Sequence, residues 1–335
     1  MLKKLIIIVA VIVIGGFLYW QNLNSPVDAN GQEQVFSVGK GETINQVAKN
    51  LRINNLIRSE FYFKHEIGSG DIIKAGEYLI SPKLSAKEII KILTLGAAVS
   101  REKSIRIIEG WNNKDIASYF EKNNIISAKD FTALAASPLS GWKFSFAKPD
   151  FFNDAPKEAT LEGYLFPDTY RIFNDTAVEG VIFKMLDNFD KKLTPEMRAE
   201  IKRQKKTIYE IVTMASVIEK EVRSTEDMKI VSGIFWDRIK NGQGLESCAT
   251  LAYILGVSKA QYSYEDTRID SPYNTYKYRG LPSGPIANPG LNAIKAAIYP
   301  EFTGYNYFLS DPSTGKTIYS KTLEEHNINK YKYLK

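Results

Sequence analysis

The sequence predicts an α+β protein with a single N-terminal transmembrane helix, a small α/β module and a larger mixed α+β domain. Three observations predict it. An unbroken apolar run, Leu5 to Trp20, follows Lys3 and Lys4. Helix-period and strand-period segments then alternate, with capping boxes at helix starts. A strand-helix pattern also recurs at a constant offset, which makes it a unit used twice rather than a solenoid. The implied division is 1–21 for a cytoplasmic tip and anchor, 22–34 for a linker, 35–96 for the module and 104–335 for the larger domain.

At about 1.5 Å per residue the apolar run spans roughly 24 Å, short for a bilayer but workable with Tyr19 and Trp20 at the interface. A cleaved signal peptide is the competing reading. The run ends in bulky residues with no small-x-small site, and no cysteine is nearby for a lipid anchor. A retained single-pass anchor is therefore expected, its lysines inside and Ser25 onward outside the cytoplasm. The polar stretch from Asn22 to Gln34, with its Pro and Gly, reads as the linker.

In the module, Val35, Phe36 and Val38 suggest a strand, and Thr43 to Gln46 form a capping box before a helix whose inward face is Ile44, Val47, Ala48 and Leu51. Gly76 to Ser81 reads as another strand. Ser85 to Glu88 is a second capping box, with Gly96 as the stop. The repeat aligns Gly41, Val47, Ala48, Leu51, Asn54 and Asn55 with Gly110, Ile116, Ala117, Phe120, Asn123 and Asn124. In the larger domain, Thr194 and Pro195 open a helix, a long helix covers Glu226 to Asn241, and a short one covers Asn292 to Ile298. Tyr305 to Leu309 and Lys316 to Ser320 form a hairpin. The stretch Gly280 to Gly290, dense in Pro and Gly, is neither helix nor central strand and reads as a rigid loop lining a groove.

With 335 residues the chain is long enough for roughly two domains. Hydrophobic residues at 44% and charged residues at 24% argue for a folded chain without long disordered tracts. The net charge of +6 is spread out, with one denser patch from Arg198 to Lys206 that reads as a solvated helix face. No nucleic-acid motif occurs, so nucleic acid is not an expected partner. Cys248 is the single cysteine and His65 and His326 are the two histidines, which leaves no disulfide framework and no expected metal site. A buried neutral thiol is expected for Cys248. Ser100 to Lys103 mimics the S-x-x-K of penicillin-recognising enzymes without its companion motifs, and Gly315 to Thr317 mimics a phosphate loop without its leading glycine.

The chemistry centres on Thr207 to Val222. Wound as a helix, this stretch sets Ile208, Ile211, Val212, Ala215 and Val222 on one apolar stripe, and Glu219 falls within about 20° of its centre. Glu210 and Glu221 project from the opposite side, where a solvated carboxylate is expected. An acid turned towards a dry interior has a raised pKa, as a general acid near neutral pH requires. A buried glutamate held in a structural salt bridge is the other reading of the same pattern.

Three motifs accompany this helix: Ala215 to Glu221 (ASVIEKE), Ser271 to Tyr276 (SPYNTY) and Leu281 to Ile286 (LPSGPI). Upstream lies Glu162 to Tyr170 (EGYLFPDTY). Together they resemble the endolytic murein transglycosylases, the YceG-like or MltG family. The stretch from Gly39 to Ile57 is similar to the opening of a LysM-like domain, a class that binds N-acetylglucosamine polymers, with a purely structural role as its alternative. Some family members carry Gln and Asp where Glu246 and Cys248 stand here.

The resemblance implies a lytic transglycosylase of the bacterial plasma membrane, with Glu219 as the catalytic acid. Glu162, Tyr164, Ser216, Tyr273, Asn274, Thr275, Tyr276 and Leu281 are the implied substrate-binding residues. It implies no metal and no cofactor, peptidoglycan glycan strands as substrate, and peptidoglycan synthases (penicillin-binding proteins) as partners. Two alternatives stay open: a lysozyme-like hydrolase with Glu162 or Asp168 as second carboxylate, and a membrane-tethered wall-binding protein in which Glu219 is structural.

Overall fold

In the computed structural model, residues 2–68, 71–96, 102–173, 176–259 and 261–334 are described, without the side chains of 2–7, 10 and 102. The chain divides into two units, 1–103 and 104–335. Ser100 and Arg101 of the S-x-x-K look-alike lie outside the described residues.

The first unit begins with helix α1 (Leu2–Asn24), which carries the apolar run. The side chains of Leu5, Ile6, Ile7 and Ala10 within that run lie outside the described set. Among the described residues no helix is long and apolar enough to cross a membrane. After α1 come β1 (Gln34–Val38), α2 (Ile44–Ile53), α3 (Glu60–Glu66), β2 (Gly76–Ile80) and α4 (Ala86–Leu95). β1 and β2 pair antiparallel with Phe36 opposite Tyr78. The two capping boxes form as read, at Thr43 with Gln46 and at Ser85 with Glu88. Helix α3 was not legible in the sequence, since seven residues give its pattern little more than one period.

The end of α1 and the segment 22–34 make contacts within this unit. Trp20 packs its ring 4.9 Å from both Tyr62 and His65 of α3, so it is an inter-helix contact within this unit. Asn24 accepts the Lys87 N–H at 3.1 Å, and the Arg58 guanidinium donates to the Pro26 carbonyl at 2.7 Å. The segment 22–34 is thus tied by side chain–backbone hydrogen bonds to Arg58 and to the start of α4.

The second unit contains β3 (Glu102–Arg106), α5 (Asn113–Lys122), α6 (Ala128–Ala135), β4 (Thr169–Phe173), α7 (Val178–Lys192), α8 (Pro195–Arg203) and α9 (Ile208–Glu221). It continues with α10 (Thr225–Lys240), α11 (Cys248–Leu255), α12 (Tyr264–Thr267), α13 (Leu291–Ile298), β5 (Tyr307–Ser310), β6 (Thr317–Ser320) and α14 (Leu323–Tyr333). β3 lies beside β4, and β5 and β6 form the expected hairpin with Tyr307 opposite Ser320. The mixture of helices and short antiparallel ribbons is the α+β architecture read from the sequence.

The repeat is real at the level of the backbone. Gly41 and Gly110 take φ of +82° and +78°, Asn55 and Asn124 take +53° and +50°, and each pair brackets a capped ten-residue helix.

Helix α9 differs from the amphipathic reading. Every residue from Ile211 to Ile218 is buried, so the helix is enclosed on all sides rather than along one stripe. It packs chiefly on α13, with α10, α11 and α8 around it. A helix apolar all round belongs in a core. Each large side chain there, such as Ile211, Met214 or Ile218, contributes roughly 1.5–3 kcal/mol by leaving water.

Candidate active site

Glu219 sits where α9 emerges from this core, half-buried, with its Oε2 accepting the backbone N–H of Gly290 at 2.9 Å. Gly290 is the N-cap of α13 and has no side chain with which to cap it, so the carboxyl of Glu219 meets the positive end of that helix. Two effects oppose each other. The hydrogen bond favours the carboxylate, whereas desolvation favours the neutral acid, and desolvation wins. Burial raises the Glu219 pKa to about 7, with the neighbouring Glu109 adding to the rise and the Gly290 N–H and Lys220 opposing it.

The Pro-Gly loop is positioned by three side chains of the same helix. The Tyr209 hydroxyl donates to the Ser283 carbonyl at 2.5 Å, and Ser216 Oγ accepts the Ile286 N–H at 3.0 Å. Glu219 on Gly290 is the third fastening. The loop therefore runs along α9 and delivers its last residue to the acid. Its other side is held by Asn288. The Asn288 amide donates to the Trp111 carbonyl at 3.0 Å, and its Oδ1 accepts the Leu165 N–H at 2.9 Å. Its backbone exchanges hydrogen bonds with Gly110 and Trp111, at 2.9 and 2.8 Å. Lys220 Nζ completes the frame by donating to the Gly110 carbonyl at 3.1 Å.

Of the residues read as substrate-binding, several turn out to be internal. Glu162 is only 7% exposed; its carboxyl accepts the Asn113 N–H at the start of α5, at 3.1 and 3.2 Å, and bonds the Tyr253 hydroxyl. Burial pushes its pKa up to about 8. Tyr164 has no exposed surface and lies among Phe151, Phe152 and Phe189, its hydroxyl unpartnered among the described residues. Ser216 is fully buried and is used on the loop. Asn274 and Thr275 are buried as well. The Asn274 amide holds the Thr267 and Ile269 carbonyls, and Thr275 Oγ1 accepts the Ser247 N–H. Glu162 keeps 7% of its surface and the other four 1% or less. For Asn274 and Thr275 the physical reason is that a loop without secondary structure must satisfy its backbone through side-chain amides and hydroxyls, so polar residues in it are often structural. Tyr273, Tyr276 and Leu281 remain partly exposed, as a contact surface requires.

Two further expectations are corrected. Glu221 is not solvated: its carboxyl takes a hydrogen bond from the Ser247 hydroxyl and another from the Ala249 N–H, and burial raises its pKa. The wheel counted only α9, and the start of α11, through Ser247 and Ala249, covers this side of the helix. Cys248, expected to be buried, is exposed; its Sγ lies 3.1 Å from the Tyr276 hydroxyl, and desolvation of the thiol raises its pKa. A cavity of about 340 Å³ lies between α9 and α11, bounded by Lys220, Glu221, Ala249, Tyr253 and Lys259. It adjoins the end of α9 without including Glu219 in its wall.

Sequence reasoning missed Glu109, Asn288 and Gly290. The loop containing the last two was singled out only as a groove wall. Glu109 had one legible signal, its place immediately before the repeated glycine. Among the described residues no group of three or more His, Cys, Asp or Glu side chains is placed to hold a metal ion.

Comparison with known proteins agrees with this frame. Residues 36–332 match the YceG-like family. The chain is 35% identical over 336 residues to an endolytic murein transglycosylase of Bacillus subtilis, covering 96% of this chain and 91% of that protein. It is 30% identical over 351 residues to the endolytic murein transglycosylase of Streptococcus pneumoniae, covering 97% of this chain and 63% of that longer protein. The crystal structure of a yceG-like protein from Listeria monocytogenes superposes with a TM-score of 0.61 at 31% identity, over 90% of this chain and all of that one. By a match spanning most of its length, this chain belongs to the YceG-like family.

Proposed function

We propose that this chain is an endolytic peptidoglycan lytic transglycosylase, with Glu219 as its acid-base residue. The observation that carries the reading is the placement of Glu219, half-buried at the end of a core helix, with a pKa near 7 and one hydrogen bond to a helix N-terminus. A proton on that carboxyl is transferable at neutral pH, which an exposed glutamate does not offer. The names of the related proteins from B. subtilis and S. pneumoniae support the same chemistry.

In this reading the protonated Glu219 donates to the glycosidic oxygen joining N-acetylmuramic acid to N-acetylglucosamine. The C1–O bond breaks through an oxocarbenium-like state. The resulting carboxylate takes the proton from the muramic acid's 6-hydroxyl as that oxygen closes on C1. No water is consumed, the enzyme ends with its proton restored, and the product is a 1,6-anhydro end. The nucleophile belongs to the same sugar, so its effective concentration is high and no second carboxylate is needed to activate water. No metal or cofactor enters the scheme. Mass spectrometry of peptidoglycan digested by the purified protein tests it: anhydro ends are expected, and reducing ends alone would establish a hydrolase instead. Of the two carboxylates that the hydrolase reading names, Glu162 is buried against Asn113 and Tyr253, and Asp168 is exposed with Asn188 at 3.0 Å and Lys192 at 3.9 Å.

The finer reading places residues 5–20 in the plasma membrane as a single-pass anchor, with the enzyme outside, trimming or terminating strands beside the synthases that extend them. Its support is the apolar sequence after Lys3 and Lys4. Protease added to wall-stripped cells is expected to degrade the protein from its C-terminal side, and complete protection would refute the topology. Residues 35–96 are read as a LysM-like glycan-binding module on the sequence of α2 and its approach. Deleting them should weaken binding to polymeric peptidoglycan while sparing cleavage of short soluble strands. Equal loss on both substrates would make the module a folding support.

A further inference from the structure

The loop that carries Gly110 runs beside the acid. A β-carbon built on Gly110 would lie 3.5 Å from Glu219 Cγ and 3.5 Å from Lys220 Cδ, so the turn leaves room for little more than a methyl group beside the acid, and Lys220 Nζ bonds the Gly110 carbonyl at 3.1 Å. The residue before it, Glu109, is exposed, and its side chain is laid against Gly290. A β-carbon on Gly290 would meet Glu109 Oε1 at 2.0 Å, in space only a glycine leaves free. Gly290 is also the residue whose N–H binds Glu219. Two carboxyl groups thus converge on one glycine, the first half-buried and the second open to solvent. The frame that fixes them is shared: Gly110 and Trp111 are bonded to Asn288, two residues before Gly290.

The internal repeat makes this placement informative. Glu109-Gly110 in the second copy corresponds to Lys40-Gly41 in the first. Both glycines adopt the same left-handed turn, so that turn accepts either residue before it. The carboxylate is a feature of the copy that abuts Glu219 and is not required by the turn.

We infer that Glu109 is the second carboxylate of this site, facing the sugar ring across Gly290 and holding negative charge towards the cationic ring carbon and oxygen that develop as the bond breaks. The inference rests on the transglycosylase reading above and adds a residue to it. Glu219 moves the proton and Glu109 complements the charge, a division that follows from their different exposure. The charged and titratable groups that face Glu219 are Glu109 and Lys220, and of these Glu109 favours its protonated form while Lys220 opposes it.

The test uses the full chain with Glu109→Gln, Glu109→Asp and Glu109→Lys, measuring anhydro-end release from solubilised glycan strands against pH. Glu109→Gln is expected to lower kcat about a hundredfold, the scale for removing one group that complements transition-state charge, with KM changed far less. The alkaline limb of the profile should move to lower pH, since a negative neighbour of Glu219 is gone. Glu109→Lys should be worse in both respects, and Glu109→Asp should recover part of the rate. The inference falls if Glu109→Gln keeps the wild-type rate and pH limb, if Glu109→Asp is no better than Glu109→Gln, or if the variants melt well below the wild type, which would make the residue structural. Wild-type protein that forms no anhydro ends would refute the function itself. Wild-type activity with an unaffected Glu109→Gln would remove only this inference.

Discussion

Glu219→Gln is expected to end the formation of anhydro ends while leaving the fold in place. Glutamine preserves the shape and still accepts the Gly290 N–H through its carbonyl oxygen, so the loop keeps its third fastening. It has no proton to give and none to take back, and loss of acid-base catalysis costs about 10²–10⁴ in rate. The wild-type pH profile carries the same assignment. With a folded pKa of about 7, the acid is protonated below that value and loses its proton as pH rises through it, so activity should fall on that side. Glu210→Gln is the control. Glu210 accepts the Thr207 N–H at 2.8 Å at the far end of α9, and glutamine serves equally in that capping box. Glu221 is unsuitable as a control because its carboxyl is bonded to Ser247 and Ala249. Anhydro ends persisting in the Glu219 variant would mean that another group supplies the proton.

Gly163→Ala should be among the most damaging small substitutions in the second unit. Gly163 has a φ of +90°, a conformation a side chain resists by about 1–2 kcal/mol. Its added β-carbon would also lie 2.5 Å from Pro285 Cβ and 2.8 Å from Val212 Cγ1. Neither neighbour is the free end of a flexible chain, and overpacking of this kind costs typically about 1–3 kcal/mol. Together these predict a loss of roughly 2–5 kcal/mol, or about 4–20 °C in the unfolding midpoint of a unit this size. Gly141→Ala has no atom within 4 Å of the new carbon and no unusual φ, and should stay within about 0.5 kcal/mol of wild type. A Gly163 variant as stable as the Gly141 variant would mean that Pro285 and α9 can separate without cost. Because Pro285 precedes the Ile286 amide held by Ser216, the same variant should disturb the acid's surroundings as well.

The sequence was most legible where its signal is local. The capping boxes at Thr43 and Ser85, the Thr194-Pro195 helix start and the hairpin over 305–320 depend on residues a few positions apart, and all are present. The repeat was legible because turn glycines and core positions recur together. What failed was inference about surroundings. Periodicity gave α9 one buried face, yet the packing of α13, α10, α11 and α8 closes the others, and no pattern within sixteen residues encodes that. The candidate site shows the same limit. The partial burial of Glu219 was legible because its apolar neighbours lie on its own helix, whereas Glu162 is bonded to Asn113, 49 residues away in the chain, a partner that no local pattern shows. Helix α14, with no buried residue, left no periodic trace at all.

The bond between Glu219 and the Gly290 amide has a consequence for timing. An N–H donor binds a carboxylate more strongly than a neutral acid, so this contact is weakest while the proton is held and strengthens as the proton departs. In the proposed reaction the N-terminus of α13 is therefore matched to the charge distribution reached partway through proton transfer rather than to the resting acid. Because the helix is already in place and its dipole fixed, that gain requires no reorganisation when the bond breaks. In this arrangement the burial that makes Glu219 reluctant to ionise and the helix end that welcomes the ion act at successive moments of one event.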